Sequence, residues 1–179
     1  MTTGHATDGG DGLIPAPSRI VGYVPGGFDM LHIGHLNVLR AARKHCDRLV
    51  VGVATDESLE RMKGRPPVIP LRERCELIAS LRFVDAVVVD LDQDKRLAWR
   101  LQPFDILFKG DDWQGTEKGA RLEEELAEVG ARVFYLPYTP STSSTMLRSF
   151  LTPKDVAQEL GPEAVDKDQP GAHSAEATK

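Results

Sequence analysis

Residues 20–45 read IVGYVPGGFDMLHIGHLNVLRAARKH. Ile20 to Val24 is a short apolar, β-branched run, which predicts a buried strand. Pro25-Gly26-Gly27 should break that strand. Beyond the loop, Leu36, Val38, Leu39, Ala42 and Arg43 fit a helix from about Ile33 to His45. A strand, a glycine-bearing loop and a helix thus follow in order, and the rest of the chain repeats the alternation.

Arg48 to Ala54 (RLVVGVA) is a second buried strand. Leu71, Cys75, Ile78 and Leu81 have helical spacing, so Leu71 to Leu81 is predicted as a helix. Ala86 to Val89 and Ile106 to Lys109 are a third and fourth strand. A charged amphipathic helix covers Gly119 to Val129, with Gly130 at its C′ position. Arg132 to Leu136 is a fifth strand, and Ser143 to Phe150 a last helix capped by Ser143 or Thr142. The fold class is therefore α/β, a Rossmann-like doubly wound sheet of five parallel strands. Such sheets bind ligands beyond the carboxyl ends of their strands. The loops of interest are Pro25–His35, Thr55–Pro70, Lys109–Gly115 and Pro137–Thr145.

Composition bounds the rest. The 179 residues suit one domain, placed at 19–151 between a disordered leader (1–18) and a largely disordered tail (152–179), both poor in large apolar residues. A net charge of −5 argues against sequence-independent nucleic-acid binding. Cys46 and Cys75 are too few for a disulfide framework and fit a reducing compartment. No apolar run is long enough to span a bilayer, and the start lacks signal-peptide features, so the expected location is cytoplasmic, with no membrane or nucleic-acid partner.

His32 and His35 lie three apart, so in a helical turn they share one face. Gly34 between them lets a ligand approach the backbone. A helix start offers free N–H groups and a positive dipole end, which favour phosphate. Two imidazoles there can stabilise a leaving pyrophosphate. Histidines at this spacing can also ligate zinc, but no further His or Cys stands nearby at ligand spacing, so no metal site is assigned.

The loop, with its His32-Ile33-Gly34-His35, resembles the signature of the cytidylyltransferase-like nucleotidyltransferase superfamily. So do Thr55-Asp56-Glu57-Ser58, Arg74 to Asp85, and Phe108-Lys109-Gly110-Asp111-Asp112-Trp113. The nearest pattern is that of glycerol-3-phosphate cytidylyltransferase, through Gly110-Asp111-Asp112-Trp113 and Ser143-Ser144-Thr145. The heptose-phosphate adenylyltransferase branch is similar through Lys63-Gly64.

The resemblance implies roles. His32, His35, Lys63 and Arg82 are the expected catalytic residues. Gly26, Gly27, Phe28, Gly34, Asp111, Asp112, Trp113, Ser143, Ser144 and Thr145 are expected to hold the nucleotide. Asp29, Arg74 and Tyr138 are expected at the acceptor. Each has a structural alternative: Lys63 as a solvated loop lysine, Arg74 and Arg82 as partners of Glu73, Glu76 or Asp85, Asp29 as a helix cap, Trp113 as a packing anchor. The family commonly places an arginine where Tyr138 stands, and Arg148 is a candidate replacement.

The implied reaction is cytidylyl transfer from CTP to a glycerol 3-phosphate-like alcohol, with pyrophosphate released and Mg²⁺ carried on the triphosphate. Adenylyl transfer from ATP to a sugar phosphate is the alternative. A non-catalytic nucleotide-binding regulator shares the fold but is expected to lose such histidines. A class I tRNA synthetase fragment is disfavoured by length and acidity. The resemblance also implies a homodimer.

Overall fold

A computed structural model of the chain describes residues 19–137 and 143–151. The expectations for the leader, the tail, Tyr138 and Thr142 fall outside them. Five strands, β1 (Val21–Gly26), β2 (Arg48–Ala54), β3 (Ala86–Asp90), β4 (Ile106–Gly110) and β5 (Arg132–Leu136), form one sheet in the order β3-β2-β1-β4-β5. Every pairing is parallel. After its exposed first residue, β2 is buried along its whole length, which is why it reads as an unbroken apolar run.

The helices are α1 (Ile33–Arg43), α2 (Asp56–Lys63), α3 (Leu71–Ala79), α4 (Lys95–Leu101), α5 (Glu117–Ala127) and α6 (Ser144–Phe150), with a short 3₁₀ turn at Asp111–Trp113. One face of the sheet packs Val24, Val51 and Phe108 against Leu39 of α1 and Ile78 of α3. The other packs Tyr23, Val50 and Leu107 against Leu122 and Leu126 of α5. Leu39, Ile78 and Leu126 are fully buried, each worth about 1.5–3 kcal/mol of transfer free energy.

Two helices lie where loops or nothing were expected. α2 is polar apart from Leu59 and Met62, and its signals are its ends: the Thr55 hydroxyl accepts from the Ser58 N–H, and Gly64 takes the left-handed cap. α4 is one short stretch capped by Asp94. Helix ends also shift. α3 stops at Ala79, before Leu81 and Arg82. α5 ends at Ala127 with Glu128 as its cap, so Gly130 sits two residues past the cap rather than at C′.

The ladder of β1 explains where a ligand can enter. With β2 its register continues to Gly26↔Val53. With β4 it stops at Tyr23↔Leu107, although the two strands run on to Gly26 and Gly110. The strands therefore part at their carboxyl ends, between the two halves of the fold, and open a crevice at the switch in strand order. Pro25, which has no N–H to give, stands beyond that last pair.

Candidate active site

The loop after β1 forms one wall of the crevice. Phe28 and Met30 both have φ of 50°, a left-handed conformation uncommon for residues with side chains. The strain is held by surrounding contacts. Phe28 is buried against the His35 ring. A Cβ on Gly27 would stand 2.8 Å from Leu59 Cδ2 of α2, so a larger residue there would have to displace the end of that buried side chain.

His32 caps α1, and the two histidines form a reciprocal capping box. His32 Nδ1 accepts from the Gly34 N–H at 3.1 Å, and His35 Nδ1 accepts from the His32 N–H at 3.4 Å. A ring nitrogen that accepts carries no proton, so each neutral imidazole keeps its hydrogen on Nε2. The rings lie 3.9 Å apart. Burial lowers the pKa of His32, and burial, followed by the charges of His32 and Lys63, pushes His35 down to about 4. At neutral pH both rings are uncharged Nε2–H donors beside a helix N-terminus, an arrangement suited to a polyphosphate. Lys63 is exposed at the end of α2, close enough for its charge to act on His35.

Asp29 is buried and works within the protein. Its carboxylate accepts from the Val68 and Ile69 N–H groups and pairs with Arg148 of α6. Burial opposes its ionisation, but the two N–H groups and Arg148 outweigh burial and hold its pKa below the usual carboxylate range. The Ser144 hydroxyl donates to the Asp29 carbonyl at 2.7 Å. Asp29 thereby joins the loop, segment 66–69 and α6 in one frame. Ser143 caps α6 and Thr145 is exposed beside it.

Two arginines are not where the sequence reading puts them. Arg74 is fully buried, so it does not meet an acceptor. Its guanidinium donates to the Gly27 and Ile69 carbonyls and pairs with Asp56 at 2.5 Å, holding the loop from beneath. Its partner is Asp56, not Glu73, Glu76 or Asp85. Arg82 lies in the connection from α3 to β3, on the amino edge of the sheet near the Arg43–Asp85 pair. In a parallel sheet that edge faces away from the crevice, so Arg82 cannot act at this loop. Arg148 does reach the loop, but it is committed to Asp29.

The opposite wall carries Asp111, Asp112 and Trp113, the turn that follows β4. Asp112 and Trp113 line a shallow cleft with Thr116, Glu117 and Lys118. The Lys109 ammonium sits 3.9 Å from the centre of the Trp113 ring. Among the described residues, no group of three or more His, Cys, Asp or Glu side chains could hold a metal ion. Lys109 of β4, quoted above only as part of the motif, shares its sheet face with Asp90 of β3, which pairs with Lys95 of α4 at 2.7 Å; the sequence reading gave none of the three a role. Only the position of Lys109 at a strand end hinted at one.

A family model described as cytidylyltransferase-like matches residues 23–150. The chain is 40% identical over 129 residues to the bifunctional protein HldE of Rhodopseudomonas palustris (strain BisA53), a match covering 71% of this chain and 26% of that protein. It is 44% identical over 126 residues to the bifunctional protein HldE of Streptomyces coelicolor, covering 68% and 26% respectively. The chain thus spans about a quarter of the length of these curated relatives. Among solved structures, the lipopolysaccharide core biosynthesis protein from Thermoplasma volcanium superposes with a TM-score of 0.59 and 30% identity, over 70% of this chain and all of that one.

Proposed function

Because the chain belongs to the cytidylyltransferase-like family, we propose that it is a nucleotidyltransferase that joins the α-phosphate of a nucleoside triphosphate to a small phosphorylated acceptor. The observation that carries this is the histidine capping box, which leaves two Nε2–H donors at a helix start. In the reaction, an oxygen of the acceptor phosphate attacks the α-phosphorus in line. The new P–O bond forms as the bond to the bridging oxygen breaks, and pyrophosphate leaves with the electron pair. An ionised phosphate is already a nucleophile, so positioning and charge stabilisation carry most of the work. His32 and His35 donate to phosphate oxygens as charge builds, and Lys63 adds a mobile cation. Mg²⁺, travelling on the triphosphate, neutralises part of its charge. Asp29, the carboxylate within the loop, is committed to Arg148 and two N–H groups and so is taken up within the protein.

The triphosphate is ATP and the acceptor a sugar phosphate. Support comes from Lys63-Gly64, similar to the heptose-phosphate adenylyltransferase branch, and from the likeness to the lipopolysaccharide core biosynthesis protein of Thermoplasma volcanium. A second reading, CTP with glycerol 3-phosphate, is favoured by Gly110-Asp111-Asp112-Trp113. The active form is a homodimer in the cytoplasm, as the resemblance implies. Pyrophosphate release with each of the four ribonucleoside triphosphates against a panel of sugar, glycerol and amino-alcohol phosphates is the test. Turnover with ATP and a sugar phosphate is expected. Turnover only with CTP and glycerol 3-phosphate selects the second reading, and no turnover with any pair rejects both.

A further inference from the structure

A second polar cluster lies inside the carboxyl edge of the sheet, on the face that packs against α5. Ala86, Val88, Tyr23 and Leu107 define that face. Because side chains alternate along a strand, Asp90 at the end of β3 and Lys109 near the end of β4 fall on it too. Lys95, in the first turn of α4, reaches Asp90 Oδ2 at 2.7 Å. The cluster is nearly sealed: Tyr23 is 0% exposed and Asp90 4%.

Its hydrogen bonding is incomplete. Neither the Tyr23 hydroxyl nor Asp90 Oδ1 has a partner among the described residues. The two face each other: burial first, then the charge of Asp90 and its pull on the phenolic hydrogen, push the Tyr23 pKa up. They nevertheless stop short of a formed bond. Gly52 makes room for the tip of the ring, since a Cβ there would stand 1.9 Å from the hydroxyl oxygen and 2.4 Å from Cζ. A phenylalanine would pack the same ring against Phe104 without the polar atom. An unpaired buried hydroxyl costs about 1–3 kcal/mol, and a charged oxygen more. Lys109 is drawn into the same field: burial, then Lys95, lower its pKa, while Asp112 and Asp90 oppose them.

We propose that Tyr23, Asp90, Lys95 and Lys109 form the subsite that receives the hydroxyl groups of the acceptor, which makes a polyhydroxylated sugar phosphate the fitting substrate class. This rests on the nucleotidyltransferase reading. A neutral hydroxyl can donate to Asp90 Oδ1 and accept from Lys109 or from Tyr23, so it completes every open position. A second phosphate would meet the Asp90 carboxylate, and an amino-alcohol head would meet two lysines. Across the β1–β4 crevice, the acceptor's phosphate would then face the histidine loop.

Wild-type pyrophosphate release is measured first, because its failure with every acceptor counts against the reaction class and not against the subsite. Tyr23→Phe and Asp90→Asn are then compared with wild type at saturating ATP. The expected result is a rise in KM for the sugar phosphate of roughly 5-fold in Tyr23→Phe, the scale of a neutral hydrogen bond, and of roughly 10-fold or more in Asp90→Asn, the scale of one to a charged group, with KM for ATP nearly unchanged. Calorimetric titration with the sugar phosphate supplies a readout independent of turnover. Binding by wild type that weakens in Tyr23→Phe upholds the subsite even if Asp90→Asn does not fold. A folded Tyr23→Phe with wild-type acceptor KM and affinity overturns the proposal. So does the absence of sugar phosphate binding to wild type. In either case the cluster is an internal polar contact only.

Discussion

The two walls of the crevice use polar groups in opposite ways. In the loop wall the acceptors are filled: Asp29 takes two N–H groups and Arg148, Arg74 is occupied by two carbonyls and Asp56, and each histidine Nδ1 accepts a backbone N–H. What the two rings keep free is a donor each, on Nε2. Facing that wall, on the side of the sheet that packs against α5, a buried carboxylate oxygen and a buried hydroxyl are left open. A wall with its own bonds complete is suited to a transition state, where preorganised donors need no rearrangement. A wall with open positions is suited to a ligand that completes them, and such a site rejects analogues lacking the group.

The sharpest way to break this contrast is to remove a donor from the finished wall. His32→Ala and His35→Ala should each lower kcat by roughly 10²–10³-fold, the scale of losing one preorganised charge stabiliser. Near-normal turnover in both variants would place the chemistry elsewhere.

Next in size is the support beneath the loop. Arg74→Met removes a buried guanidinium and orphans the Gly27 and Ile69 carbonyls. Because Asp56 is 40% exposed and can rehydrate, the loss should be about 2–3 kcal/mol, below that of a wholly buried pair. Urea denaturation measures it. A change under about 0.5 kcal/mol would mean that the loop holds its own shape.

These effects also mark what the sequence can say. The five strands were legible because buried parallel strands are continuous apolar runs, as at Arg48–Ala54. The histidine loop was legible because its motif falls between such a strand and a periodic helix. α2 was not, because its information lies in two end residues, Thr55 and Gly64, rather than in an apolar face. Arg74 and Arg82 are eight residues apart in one helical-looking stretch, yet they lie at opposite edges of the sheet, because α3 runs from one edge toward the other and ends before Arg82. Nothing in a single sequence reveals that Arg74 pairs with Asp56, or that Asp90 and Lys109, on different strands, fall on one face of the sheet.

A smaller effect is expected from pH. His35 has a folded pKa of about 4, below the ordinary histidine value near 6.5. Below about pH 6.5 the unfolded chain binds a proton that the folded ring refuses. Folding stability should therefore fall as pH drops from about 6.5 toward 4. His35→Gln should flatten that part of a stability–pH curve measured by urea denaturation. An unchanged slope would mean that the ring is not buried neutral.

Smallest of all is the stability effect of Tyr23→Phe. Removing a hydroxyl that has no partner relieves its desolvation cost but leaves a small void, so the melting temperature should stay unchanged or rise, a net change within about 1 kcal/mol. A clear fall on thermal unfolding would show that the hydroxyl is already bonded inside the fold, and the contrast between the walls would lose its second term.

The most direct measurement is nitrogen-15 NMR of the imidazole rings in the ligand-free protein at neutral pH. His32 and His35 should both give the shifts of neutral rings protonated on Nε2, with Nδ1 bare, as the capping box requires. Rings protonated on Nδ1, or imidazolium rings, would contradict it, because the loop wall would then have to reorganise before it could hold a leaving pyrophosphate.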